Sequence, residues 1–349
     1  MRRISSLVGI LCATALVSAL PSGRLMAAAS APALYSITKS IPMGAPDRWD
    51  YLAYDSTSHR VYVAHETEIA VINGQSGELL GRVSVPGANG VALVPAAGKG
   101  YAGSRTSKSV LVFDLGHLAV TKTIPAGEDT DGVLFDPASK RIFVMQGDPK
   151  NLLVIDTGSD SVVATIALDG KPEYSAVDGR GKLYVNIADK REIQRIDTQK
   201  LKVDATWPIP ACESPHGLSM DVQSNQLFAS CVNSKMMVVD ALSGRVTAEL
   251  PIGFGTDATA VDTSRHRAFS SNWDGTLSVI DISAAGHAVS LGEVPTQPQA
   301  RTLAVDSASG RVYLVAADRI EVDPAATNPK KRYATKPGSV RLLFVDPTS

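Results

Sequence analysis

Seven dissimilar polar side chains stand at one offset of a repeating pattern: Asp50, Asn89, Asp131, Glu173, His216, Asp257 and Arg301. Each lies five residues before a marker position that is Asp in six cases (Asp55, Asp136, Asp178, Asp221, Asp262, Asp306) and Val94 in the other. A polar residue at the same place in every short buried strand would be costly, so this position should face solvent at one level of the molecule. Four carboxylates against one guanidinium give the level a formal charge of −3, which favours a cation, a metal or a ligand with amine character. His216, Asp131 and Asp257 are the candidate metal ligands, and a divalent ion is the candidate cofactor. An enzyme built here would use Asp257, Asp131 or Glu173 to hold the ion or act as base. His216 would serve as acid or base, and Arg301 would steady a developing oxyanion.

A second set lies five residues beyond a basic or amide residue that follows each marker: His65, Ser104, Gln146, Ile187, Cys231, Asn272 and Ala316. These should share a face with the first set but sit farther from its centre. Trp49 and Trp273 fall on the same rim, where an indole could stack a sugar or an aromatic ligand. His65, Asn272, Trp49 and Trp273 therefore join the candidate ligand contacts. The marker Asp residues themselves are turn builders, because Asp bonds its own backbone two residues on.

The elements that must position these residues repeat at steps of 39, 42, 42, 43, 41 and 44 between markers. Each copy has a short apolar strand up to the marker, a turn, and a second strand that alternates as in Arg60-Val61-Tyr62-Val63-Ala64. A third strand closes it at Asn73, Asp114, Asp156, Asp197, Asp240, Asp281 or Asp346. Seven copies of a multi-stranded unit at this period predict an all-β, seven-bladed β-propeller with helix nearly absent. The seventh copy has no fourth strand after Val340–Val345, whereas residues 35–42 match outer strands such as residues 120–125. The N-terminal strand should therefore complete the last blade and close the ring, leaving no exposed edge.

Residues 1–30 read as a signal peptide: Arg2 and Arg3, an apolar run from Leu7 to Leu20, then Ala27-Ala28-Ala29, with cleavage after Ala29 or Ala31. Cys12 lies too early for a lipidated cysteine, and no other segment could cross a bilayer. Residues 31–349 form one domain, expected in the periplasm or secreted. Losing the leader removes three of 34 basic residues and none of 35 acidic ones, leaving a net charge near −4. That balance argues against nucleic-acid binding by phosphate neutralisation. The run Lys330-Lys331-Arg332 with Lys336 reads as a solvated loop. Cys212 and Cys231 fall at the same end of adjacent antiparallel strands, so an exported chain can join them in a disulfide; a metal held by both thiolates with His216 is the alternative.

Tyr184-Val185-Asn186 and Tyr62-Val63-Ala64, with the endings Val154-Ile155-Asp156 and Val279-Ile280-Asp281, resemble the repeats of YVTN-type β-propellers from about Tyr35 to Asp346. The resemblance implies an exported propeller. It selects no activity, since similar repeats belong to lactonase-type propellers, to quinoprotein and copper redox components, and to binding proteins. The chain has no Gly-x-Ser-x-Gly elbow, His-Glu-x-x-His, phosphate loop, haem-attachment motif or dinucleotide fingerprint. The reading is thus an exported accessory or binding protein that takes a small molecule, a metal or a partner protein at the central channel mouth. The alternative is a metal-assisted or acid/base hydrolase or lyase acting on a lactone or cyclic ester.

Overall fold

The computed structural model describes residues 34–284 and 286–348. The leader expected over residues 1–30, its cleavage site and Cys12 lie outside them. Seven short inner strands circle a central channel: Leu52–Asp55, the end of Leu79–Val94, Thr130–Asp136, Pro172–Val177, Pro215–Asp221, Thr256–Asp262 and Thr302–Asp306. Each packs on the next, and the last packs on the first.

Seven separate blades are not what forms, and that expectation is corrected. The propeller strands fall into six sheets, five of four strands and one of six, with a small two-stranded sheet (Arg319–Glu321 with Tyr333–Thr335) beside them. The six-stranded sheet takes in the first two copies of the repeat. Its cause lies in the chain: Arg60 and Asn73 are closer in sequence than Lys99 and Asp114 or Arg141 and Asp156. The second copy makes a four-residue turn at 105–108, the third at 147–150 and the fourth at 188–191. The first reverses more tightly: Arg60–Asn73 is continuous strand for 14 residues, yet Glu66 takes φ +51° and Gly74 N donates to His59 O at 2.7 Å, so its ends lie side by side with no separate turn dividing two strands. Leu79–Val94 likewise runs on for 16 residues from the first copy into the second, pairing at Glu66 with Ala88.

The last sheet is ordered Tyr35–Pro42, Arg341–Pro347, Arg311–Ala316, Thr302–Asp306, so the N-terminal strand is its outer member. The insertion before Arg341 carries the two-stranded hairpin and the four-residue helix Pro329–Arg332.

Alternation in the second strands buries one aromatic ring per copy: Tyr62, Tyr101, Phe143, Tyr184, Phe228, Phe269 and Tyr313 are all at most 2% exposed. Each contributes roughly 1.5–3 kcal/mol of burial. Three of the phenols also reach the neighbouring sheet, Tyr313 Oη donating to Gly74 O at 3.0 Å, Tyr184 Oη to Ala241 O at 3.2 Å, and Tyr101 Oη to Asp160. Basic residues opening these strands act as a second row of latches, from Arg60 to Leu115 O (2.8 Å), Arg141 to Thr198 O (2.6 Å) and Arg311 to Gly74 O (2.8 Å). The marker Asp residues build turns, as at Asp55, which accepts from Thr57 N (2.9 Å) and Ser58 Oγ (2.6 Å).

Candidate functional site

In five inner strands the pairing skips two residues against one on the partner: Asn89 and Gly90, Asp131 and Gly132, Glu173 and Tyr174, His216 and Gly217, Asp257 and Ala258. Each is a β-bulge at the level of the polar set, and a bulge re-aims side chains out of the regular alternation. Two successive residues of each strand therefore serve the axis. The second is small where backbone crowds it: a Cβ on Gly90 would lie 2.4 Å from Asp131 O, and one on Gly217 2.7 Å from the Ala258 carbonyl carbon. The carbonyls of the His216 bulge are held by Asn186, whose Nδ2 donates to His216 O and Gly217 O at 3.0 Å each.

Six of the seven polar residues (Asp50, Asp131, Glu173, His216, Asp257 and Arg301) line one mouth cavity of about 210 Å³. Asn89 is buried beside it, its Nδ2 donating to Asp131. The cavity also holds four residues that sequence reasoning missed: Tyr51, Tyr174, Arg105 and Lys171. Tyr51 and Tyr174 stack with centroids 4.5 Å apart and planes at 30°. They also line a cavity of about 370 Å³ among inner-strand residues such as Val91, Val133 and Leu218, so the pair borders both spaces. Their sequence signal was a column one place after the polar set in which two tyrosines interrupt Gly, Ala and Thr. Arg105 opens a turn and Lys171 precedes Glu173 by two places, positions the repeat comparison did not include.

With Arg105 and Lys171 present, the expected −3 becomes four carboxylates against three fixed cations. Three of the acids face cations directly. Arg105 Nη2 lies 3.3 Å from Asp131 and Lys171 Nζ 3.3 Å from Glu173. Asp257 takes His216 Nε2 at 2.8 Å on one oxygen and Arg301 Nε at 3.7 Å on the other. His216 Nδ1 lies 3.8 Å from Glu173, and the Arg301 guanidinium sits 5.2 Å from the Trp49 ring centre. Asp50 is different. Among the described residues its carboxyl makes no ion pair within 4 Å. Burial, then repulsion from Asp131 and Asp257, pushes it up to about 8 against the pull of Arg301 and Arg105. Asp131 rises to about 6, chiefly through burial, with Arg105 opposing and Glu173 adding. Burial also holds Tyr51 and Tyr174 well above the ordinary phenol range.

The second set lies outside this cavity, and His65, Gln146 and Asn272 hold loops or neighbouring residues in place. His65 is buried with Nε2 2.6 Å from Pro46 O. Asn272 donates to Thr276 Oγ1 at 3.0 Å and Ser278 Oγ at 2.9 Å, and Gln146 to Ala126 O at 2.8 Å. Strand-end alternation puts these residues on the mouth side, but the adjoining loops cover them. Trp273 is buried beside Arg319, whose guanidinium lies 5.5 Å from its ring centre and 4.3 Å from that of Tyr333. Cys212 and Cys231 form the disulfide, fully buried, which leaves no thiolate pair for a metal. Among the described residues no three His, Cys, Asp or Glu side chains are grouped to hold a metal ion, so His216, Asp131 and Asp257 share a cavity without forming a ligand set.

No family model and no curated protein sequence matches the chain. Among solved structures it is similar to a chain of Kuenenia stuttgartiensis hydrazine synthase, with a TM-score of 0.69 and 15% identity over 78% of this chain and 94% of that one. At that identity the likeness is one of fold. It is shared by 1772 solved chains, so it selects no activity. What it establishes is an all-β propeller, and no helix among the described residues is long and apolar enough to cross a membrane.

Proposed function

We propose that the protein is an exported, YVTN-type propeller that binds a small polar ligand through a protonated amine at the channel mouth, acting as a binding or accessory protein. One observation carries the reading: of four carboxylates in the cavity, Asp131, Glu173 and Asp257 already face cations, and among the described residues Asp50 faces none within 4 Å. An ammonium is the group that completes it, since a paired cation favours the ionised carboxylate against the burial and repulsion that otherwise hold it protonated. The stacked pair Tyr51 and Tyr174 in the same cavity suits a cation as well. The leader-like N-terminus and the buried disulfide support export to the periplasm or beyond.

The lactone-opening alternative would need Arg301 turned to an oxyanion and His216 turned to a substrate. Both are directed at Asp257 instead, and Arg301 lies over Trp49. Binding is therefore the better-supported reading. In titration calorimetry n-butylamine should bind and n-butanol should not, and Asp50→Asn should weaken the amine at least about tenfold, the worth of one charge-assisted contact. Equal binding of the alcohol, or an Asp50→Asn protein that binds the amine unchanged, contradicts the proposal.

A further inference from the structure

The tight reversal at Glu66, in the sheet that joins the first two copies of the repeat, lies beside a second space. A cleft of about 290 Å³ opens there, walled by the reversal at Glu66 and Thr67, the link at Pro86–Ala88, the turn at Arg105 and Thr106, and Arg48. The link can pass only because residue 87 is glycine: its φ is +71°, and a Cβ would lie 2.4 Å from Thr106 Oγ1. Asp50 and Arg105 line both this cleft and the mouth cavity. Arg48, two residues away on the cleft wall, makes no ion pair among the described residues. Asp50 and Arg48, neither in an ion pair among the described residues, thus both line this one cleft.

We infer that the ligand is a linear zwitterion, its amine at Asp50 and its carboxylate in the cleft at Arg48, with the Thr67 and Thr106 hydroxyls beside the chain between them. The inference rests on the amine reading of the mouth and adds the second end of the ligand. Charges of opposite sign held apart by the fold reward a ligand that spans both and give little to one that reaches a single end. Glu66 also lines the cleft, and it would repel a carboxylate placed near it, so the acidic end belongs on the Arg48 side.

The test compares ω-amino acids from glycine to 6-aminohexanoate with n-alkylamines of equal chain length, by calorimetry on the whole protein. One ω-amino acid should bind about tenfold or more tighter than its alkylamine counterpart, a gain of one further charged contact. Arg48→Ala should abolish that preference, and Thr67→Trp, which fills the cleft where the chain runs, should abolish it as well. If amines bind but the zwitterions show no preference, or keep it in both variants, the cleft is not part of the site and this inference fails while the mouth reading stands. Loss of binding in Glu66→Gln with Asp50→Asn unaffected would reverse the ligand and overturn it. If no amine binds, both readings fail together.

Discussion

A chain beginning at Met43 should show no cooperative thermal transition and should elute as aggregates, because it lacks the strand Tyr35–Pro42 that pairs with Arg341–Pro347 from Tyr35↔Pro347 to Pro42↔Arg341. Several ladder hydrogen bonds at about 1 kcal/mol each disappear with it. So does Tyr35, which is 4% exposed and meets Phe269 edge-on at 5.4 Å in a core with Leu343 and Val345. The sum is on the order of 5 kcal/mol or more, comparable with the whole stability of a typical domain. The unpaired edge left on Arg341–Pro347 is then a template for association. Circular dichroism melts and size-exclusion chromatography read this directly. A monomer melting cooperatively within a few degrees of the parent would mean that the N-terminal strand does not close the last sheet.

The double substitution Cys212→Ser with Cys231→Ser should lower unfolding stability by about 3 kcal/mol, measured by urea denaturation. The bond spans a sequence separation of 19, and removing it frees that loop in the unfolded chain. Both sulfurs are fully buried among Ile209, Leu218 and Leu227, so two hydroxyls would also be left in an apolar setting. The disulfide ties the segment ahead of Pro215 to the end of Gln226–Cys231, the two strands that flank the His216 bulge. Binding at the mouth should weaken along with stability. A loss below about 1 kcal/mol would show that the surrounding packing alone fixes this segment.

The repeat period was enough to place seven inner strands around an axis and to find the polar level, because residues at equal offsets in a ring must occupy equivalent positions. Asp50, Asp131, Glu173, His216, Asp257 and Arg301 came from that alignment and do share one cavity. The sheet count did not follow. The shortest step, the first, was the visible sign that one reversal is tighter than the others, too tight to leave a separate turn between its two strands. Tyr51 escaped notice because it lies just ahead of its strand Leu52–Asp55, and Tyr174 because strict alternation assigns it to the opposite face. Bulges suspend that alternation, and a bulge is a property of two paired strands that a single strand's pattern does not carry. Arg105 and Lys171 reach the cavity on long side chains from turns, where offsets say little about direction. His65 and Asn272 were read as rim contacts from the same alternation, and the loops that cover them had no marker in the repeat.

The claim that Asp50 receives the ligand's amine is tested most directly by counting protons. With its carboxyl held up to about 8, Asp50 is mostly protonated at pH 7. Pairing it with an ammonium converts it to carboxylate, so binding must expel a proton. Raising the pH above the shifted value removes that proton beforehand and ends the release. Calorimetry of n-butylamine binding in buffers of different ionisation enthalpy should therefore report nearly one proton released at pH 7, close to none at pH 9.5, and none in Asp50→Asn at either pH. Binding without proton release at pH 7, or with the same release in Asp50→Asn, would contradict it.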